Sequence, residues 1–435
     1  MNITLKDERR GKRWLILVRG QMKVASPLAA GVGVLPSSTR ALAATQAAWR
    51  FDNNERVTLR ELVQPLRDYA REQVASSKAP FVLVAHDWSK LSFPGHASRR
   101  DMAELSSETD VGYEVTAALA IRGDNGTPLA PLELHLKTKY AFLSTRESAP
   151  QAVPHWEQVL PTLEASRDWK LGKPIVHVID READSVGHWR KWDAAGHKLL
   201  IRADDRVVLW EDRHLKLSEI RPQLRDRGAY QDAGTALYHG RKARLRVAET
   251  TVVLDRPART MIDKKQVSVP GPPLTMRLIL TRVEDEQGQL LAEWFLLSNV
   301  PAEWADAAHL ARCYYWRWKI ETYFKLLKSH GMQLENWLPE TGPAIARRLL
   351  VASMACVTVW QLLADDSAPA TALKNVLVRL SGRQIKRTKP HTAPALLAGL
   401  WILLSMFDVL EVHDLNALKS LVNQVRLPSP LLRTG

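Results

Sequence analysis

The stretch "YYWRWKIETYFKLLKSHG", residues 314–331, decides how this chain is read. Its spacing predicts one helix. On a 3.6-residue period Tyr314, Arg317, Glu321, Lys325 and Lys328 follow at steps of three or four and share a face. Ile320, Phe324 and Leu327 form an adjacent apolar stripe that would anchor the helix to a core. The polar face therefore sets one carboxylate among three cations. Two readings fit it. Glu321 and Lys325 have the i,i+4 spacing of an ordinary solvated ion pair. Long cations around one carboxylate also suit a phosphate-bearing ligand beside a metal ligand.

Two upstream stretches supply companions for Glu321. "FVLVAHD" (81–87) and "KPIVHVID" (173–180) are apolar, strand-like runs that close on Asp87 and Asp180. An Asp at a strand end is held on rigid backbone at the sheet margin, where water or a metal can enter. A turn or a helix cap is the plainer role for any one such residue. Asp184 shows that role, standing just before the helical "SVGHW". Asp101, in a polar connector, is the second choice to Asp87. Three carboxylates brought together repel unless divalent cations offset them, and an oxygen-only set favours Mg²⁺ or Mn²⁺ over zinc.

The surrounding pattern gives the fold class. "YEVTAALAI" (113–121) and "LAPLELHL" (129–136) read as strands joined by "RGDNGTP", a hairpin connection. "HWEQVLPTLEASRDWK" (155–170) and "ADSVGHWRKWDAAG" (183–196) read as helices, and "HKLLIRA" (197–203) as a strand. The order strand, hairpin, helix, strand, helix, strand predicts an α/β domain with a ribonuclease H-like mixed sheet covered by helices. We expect a helical N-terminal region at 1–75, which could pack as a plain bundle or hold DNA, with "TLRE" (58–61) as a capping box. The first part of the catalytic domain follows at 76–204 and a β-rich insertion at 205–298. Residues 299–375 complete the domain with the signature helix, and 376–435 form a helical region able to dimerise. "SGRQIKRTKPHTAP" (381–394) reads as a basic linker.

Charge narrows the partners. The 435 residues carry a formal net charge of +14 and a pI near 9.8, which points to a polyanion. Two cysteines, Cys313 and Cys356, exclude a disulfide framework and a thiolate metal site. "WLILV" (14–18) is too short for a signal-peptide core, and "RLLVASMACVTVWQLLA" (348–364) holds Arg348 and reads as a buried helix rather than a membrane span. The expectation is a cytoplasmic, nucleoid-associated protein with no membrane partner.

The chain resembles bacterial insertion-sequence DDE transposases of the cut-and-paste type, defined by a Tyr-x2-Arg-x3-Glu-x6-Lys signature. Tyr314, Arg317, Glu321 and Lys328 fit that spacing, and "DREADS" (180–185) is similar to the motif around the second Asp. The resemblance runs over roughly residues 35–375. It implies Asp87, Asp180 and Glu321 as catalytic metal ligands for Mg²⁺, with Mn²⁺ as an alternative. It also implies double-stranded DNA partners, namely terminal inverted repeats and target, and a homodimer in the synaptic complex. The first-Asp motif departs from the family, with Trp88 where a small hydroxyl residue is common. By resemblance, Tyr314 and Trp318 belong to the DNA site and Trp294 stacks a flipped base at a hairpin stage; Arg317, Lys325 and Lys328, on the face the signature fixes, are the first candidates for phosphate contacts, and Arg202, closing "HKLLIR", is a further one. An apolar core role for Trp294 stays open. Two other functions fit the same residues: a ribonuclease H-like nuclease without strand transfer, and a transposase-derived DNA-binding regulator.

Overall fold

A computed structural model describes residues 7–23, 38–93, 98–107, 109–146, 154, 157–183, 185–238, 241–262, 265–328, 331–337, 340–383 and 391–424. Asp184 and the middle of the basic stretch 381–394 lie outside them. Two compact units result, one of Thr58–Phe324 and one of Met1–Val57 with Lys325–Gly435.

In chain order, α1 (Glu8–Lys23) and α2 (Ser38–Asp52) precede α3 (Leu59–Ala75). Next come β1 (Val82–Ser92), β2 (Ala103–Ser107), β3 (Asp110–Arg122), β4 (Pro128–Lys137) and β5 (Phe142–Ser144). Then follow α4 (Val159–Ala165), β6 (Ile175–Ile179), α5 (Val186–Ala194) and β7 (Lys198–Arg202). Beyond these lie β8 (Val207–Trp210), β9 (Arg213–Lys216), α6 (Leu217–Asp226), β10 (Gln231–Tyr238) and β11 (Arg241–Leu254). The strands end with β12 (Ala258–Ile262), β13 (Lys265–Val269), β14 (Leu274–Glu284) and β15 (Leu290–Ser298). Helices α7 (Ala307–Trp316), α8 (Trp318–Leu327), α9 (Gly342–Ala364), α10 (Ala368–Leu380), α11 (Ala393–Leu410) and α12 (Leu415–Gln424) complete the chain.

The Thr58–Phe324 unit is built on one 13-stranded mixed sheet, in the order β5-β4-β3-β1-β6-β7-β15-β14-β11-β8-β9, with β10 on β11 and β2 on β3. β1, β3 and β4 are antiparallel neighbours, whereas β6 runs parallel to β1 and β7 parallel to β6. The predicted hairpin is present. Its Gly126 has φ +72, and a Cβ there would sit 2.5 Å from the Trp316 ring, so only glycine closes this turn against α7. Thr58 caps α3 by accepting from Glu61 N at 3.1 Å, and the buried face of that helix, including Leu62, Leu66 and Val74, packs on β4. Apart from β12 and β13, which pair only with each other, the strands of 205–298 extend the same sheet through β15 against β7, and this part shares a core with α5 and α6 that includes Trp189, Trp192, Trp210, Ile220 and Leu278.

Three expectations about elements need correction. β1 does not close at Asp87. It runs to Ser92, because β3 continues to pair with it as far as Ser92↔Gly112. In the β-rich insertion the two strand-like stretches "RKARLRVAET" (241–250) and "TVVLDR" (251–256) do not form separate strands: residues up to Leu254 are one strand, β11, paired with β14 from Arg244 to Leu254, and helix α6 lies among the strands. The helix expected over 314–331 is two segments, α7 and α8, that meet at Arg317, and α8 ends at Leu327.

In the other unit α9 is the centre, packed by α1, α2 and α11. Arg347 donates to the carbonyl oxygens of Val57 and Asp52, and Arg348 donates to Gln21 while lying 4.3 Å from the Trp337 ring centroid. α9 and α11 are each long and apolar enough to cross a membrane, but 89% of the α9 window is buried inside the protein against 28% for α11. The expectation of a buried helix holds for α9.

Candidate active site

Strand register brings the site together. The parallel pairing that sets Val82 beside Ile175 also carries Asp87 level with Asp180, and the pairing of Ile179 with Ile201 carries Arg202 level with Asp180. Side chains at matched positions of parallel strands point to the same face. β6 pairs with β1 only as far as Ala85↔Val178, so the two strands part where the aspartates stand and leave room between them.

The signature segment closes over this gap. Asp306 caps α7 by accepting from His309 N, which fixes where the helix starts. Arg317 is the C-cap of α7 and keeps helical angles (φ −50, ψ −34), so Tyr314, Arg317 and Glu321 stay on one side across the junction. The Arg317 guanidinium lies 3.0 Å from Asp87 Oδ2, 2.7 Å from Asp180 Oδ2 and 3.2 Å from Glu321 Oε1. One cation thus touches all three carboxylates. The Tyr314 hydroxyl donates to Asp180 Oδ1 at 3.2 Å, and Arg202 Nη1 stands 3.8 Å from the same oxygen. The backbone N–H groups of Trp88 and Arg181 donate to Asp87 Oδ1 and Asp180 Oδ1, both at 2.8 Å, which fixes the carboxylate planes.

Electrostatics follow from burial. The Arg317 side chain is 6% exposed, while Asp87, Asp180 and Glu321 keep 19%, 26% and 27%, so the carboxylates face solvent from around a hidden guanidinium. Burial alone would lower the Arg317 pKa; Asp180 and Asp87 more than reverse this and hold it charged. Burial raises the Asp87 carboxyl above its usual range, and Arg317 only partly pulls it back because its charge is shared with two other acids. Burial and the nearby Asp180 push the Tyr314 phenol up, so it acts as a donor.

The remaining expected residues divide. Trp294 is 5% exposed and meets the Tyr314 ring edge-on at 5.4 Å, the setting of a core side chain that buttresses the site. Trp318 is 41% exposed. Lys325 is exposed on α8 one turn beyond Glu321, and Lys328 lies 3.3 Å from Glu335. Asp101 accepts from the Tyr113 hydroxyl, a structural role. One contact was missed in the sequence: Trp88 Nε1 donates to Glu182 Oε2 at 2.6 Å and ties β1 to the loop after Asp180. Both residues adjoin the two Asp motifs, and that adjacency was the available signal.

As the side chains stand, no three His, Cys, Asp or Glu among the described residues are grouped closely enough to hold a metal ion. The donor set nevertheless fits one. Three carboxylates that converge on a single guanidinium already surround a point of positive charge, and they offer the oxygen-only ligation that Mg²⁺ and Mn²⁺ take.

Residues 148–358 match the family model for the transposase DDE domain. The matched span holds Asp180, Arg202, Trp294 and the whole signature from Tyr314 to Lys328; Asp87 lies before it. No curated protein matches the chain. A transposase DDE domain supports a transposase, an enzyme that uses divalent metal ions on a DNA substrate.

Proposed function

We propose that the chain is an insertion-sequence DDE transposase of ribonuclease H-like fold, acting on terminal inverted repeats and joining the cut ends to target DNA. The strand order β4-β3-β1-β6-β7, antiparallel and then parallel, supports the fold reading. The observation that carries the function is Arg317 reaching all three carboxylates of two strands and a helix. An isolated acidic residue has many roles, but three on converging elements with a shared cation have few.

In this reading Asp87, Asp180 and Glu321 would hold Mg²⁺ or Mn²⁺, which would supply Lewis-acid chemistry for phosphodiester cleavage and joining. Arg317 then leaves the carboxylates and turns to a DNA phosphate, as its fork geometry favours. Arg202, Lys325 and Lys328 contact backbone phosphates and position the strand without reading bases. Tyr314 keeps Asp180 oriented through its hydroxyl. Trp318, the accessible ring, supports a flipped base more readily than the buried Trp294, so a hairpin stage of cut-and-paste excision would use Trp318 first.

The test is incubation of the protein with its flanking element ends, Mg²⁺ and a target plasmid, followed by mapping of junctions. Ends joined to target through their 3′-hydroxyls are expected. Cleaved ends with no joined product would favour a nuclease without strand transfer, and bound but uncut ends a regulator.

A further inference from the structure

A second site lies at the opposite end of the strands that carry the acidic residues. A pocket of about 660 Å³ opens at the amino ends of β6 and β7, where Ile175 and Lys198 begin their strands. Asp180 and Arg202 stand at the other ends, about 17 Å away for a five-residue strand. Ligands of parallel sheets gather at the carboxyl ends of strands, so this pocket is no extension of the carboxylate site.

Its lining is strongly basic. Arg167, Lys170, Lys173 and Lys198 all contribute, and among the described residues no Asp or Glu lines it. Arg167 and Lys173 are engaged with backbone carbonyls, Arg167 with Ala195 O and Lys173 with Ser77 O and Ala79 O. The side chains of Lys170 and Lys198 have no hydrogen-bond or ion-pair partner among the described residues. His177 also lines the pocket. It is fully buried, its Nδ1 lies 3.0 Å from His86 Nε2, and its Nε2 has no partner among the described residues. A buried polar nitrogen without a partner costs free energy that a ligand can offset. One wall is Trp304, stacked on Phe81 with ring centroids 6.4 Å apart.

We propose that this pocket binds the phosphate of a nucleotide unit, with Lys170 and Lys198 as its charge partners, His177 beneath it and the base against Trp304. The cations call for an anion, the unpartnered imidazole nitrogen for a polar group, and the flat indole for a ring. The volume suits a mononucleotide rather than inorganic phosphate alone. Burial holds the His177 ring well below its usual pKa and therefore neutral, so the positive charge comes from the lysines. The phosphate belongs either to a free nucleotide or to a DNA strand, and the site does not depend on the carboxylate chemistry.

Lysine acylation of the full-length protein, read by mass spectrometry, tests this with inorganic phosphate, thymidine 5′-monophosphate, thymidine and a short DNA duplex as probes. The nucleotide should slow acylation of both Lys170 and Lys198 several-fold, and uncharged thymidine should not. Protection by the nucleotide supports a free-nucleotide site, and protection by the duplex alone supports a strand phosphate. Unchanged acylation with every probe overturns the proposal, as does equal protection by thymidine. In the Lys170→Gln/Lys198→Gln protein, nucleotide affinity should fall roughly tenfold or more, whereas Asp180→Asn should leave protection intact. Undiminished affinity in the double variant would count against the assignment.

Discussion

Arg317 offsets the repulsion among Asp87, Asp180 and Glu321, and it does so from a nearly buried position. Two consequences follow for variants. Arg317→Met leaves three partly buried acids without their cation, at a cost on the order of 3 kcal/mol, less where water reaches the carboxylates. It also removes the competitor for a divalent ion. The melting temperature without metal should therefore drop, and the gain on adding Mg²⁺ should exceed that of the unmodified protein; scanning fluorimetry across a Mg²⁺ series reads both, and equal gains would argue that guanidinium and ion do not compete. Separately, Asp87→Asn, Asp180→Asn and Glu321→Gln should each abolish end cleavage while end DNA still binds in a gel-shift assay, because phosphates and cations dominate affinity. Near-normal nicking by Glu321→Gln would remove it from the site. Asp180 and Glu321 were legible because each sits in a dense local motif. Asp87 was legible only as an acid after an apolar run. Its register with Asp180 and the Trp88–Glu182 contact join positions 93 and 94 residues apart, which no local pattern reports.

Helices and strands test which of these side chains serve the core. Trp294 on β15 is buried against Tyr314, so Trp294→Ala should destabilise by about 3–5 kcal/mol in denaturant unfolding. Trp318→Ala removes a ring that is 41% exposed and should cost much less stability than Trp294→Ala while impairing the hairpin stage. The reverse pattern would restore Trp294 as the stacking residue. A pH dependence belongs to the α2–α9 contact. Burial raises the Asp52 carboxyl from 3.8 to about 7, with Arg348 and Arg347 pulling it down only in part. A raised carboxyl contributes stability that is present below the unfolded value and is lost as pH rises through the folded one. Asp52→Asn should thus melt close to the parent near pH 4 and increasingly above it up to about pH 7; a difference that does not change with pH would show that Asp52 ionises normally. The alternating and apolar runs made β1, the hairpin, β6 and β7 readable, because each is shorter than the distance over which local pattern holds. β11 looked like two strands since its partner β14 is what makes it continuous, and the break at Arg317, where the backbone N–H groups of Arg317 and Ile320 bond to the carbonyls three residues earlier, falls where its side chain pairs with acids on distant strands.

Across the whole chain, the net charge of +14 sets the terms of assembly. Two copies carrying that charge repel, and in the proposed reading bound DNA would offset the repulsion, so association should depend on bound ends. An apolar surface lies exposed on the C-terminal side. The first half of α11 is buried through Ala393, Ala395, Leu396 and Leu397, but Met406, Phe407 and Leu410 are 45–47% exposed, with Val412 and Leu415 more so. A run of exposed apolar side chains of this extent marks an interaction surface, and we assign it to the partner protomer of a synaptic dimer. Phe407→Glu with Leu410→Glu changes no residue of the carboxylate site and replaces side chains that already meet solvent, so folding and single-end binding should persist. Light scattering should then find one protomer on one end, the parent protein should form a two-protomer complex on paired ends, and the variant should lose that complex together with strand transfer. A variant that still pairs ends and joins them to target would show that α11 serves another contact and that pairing rests on DNA-mediated contacts alone.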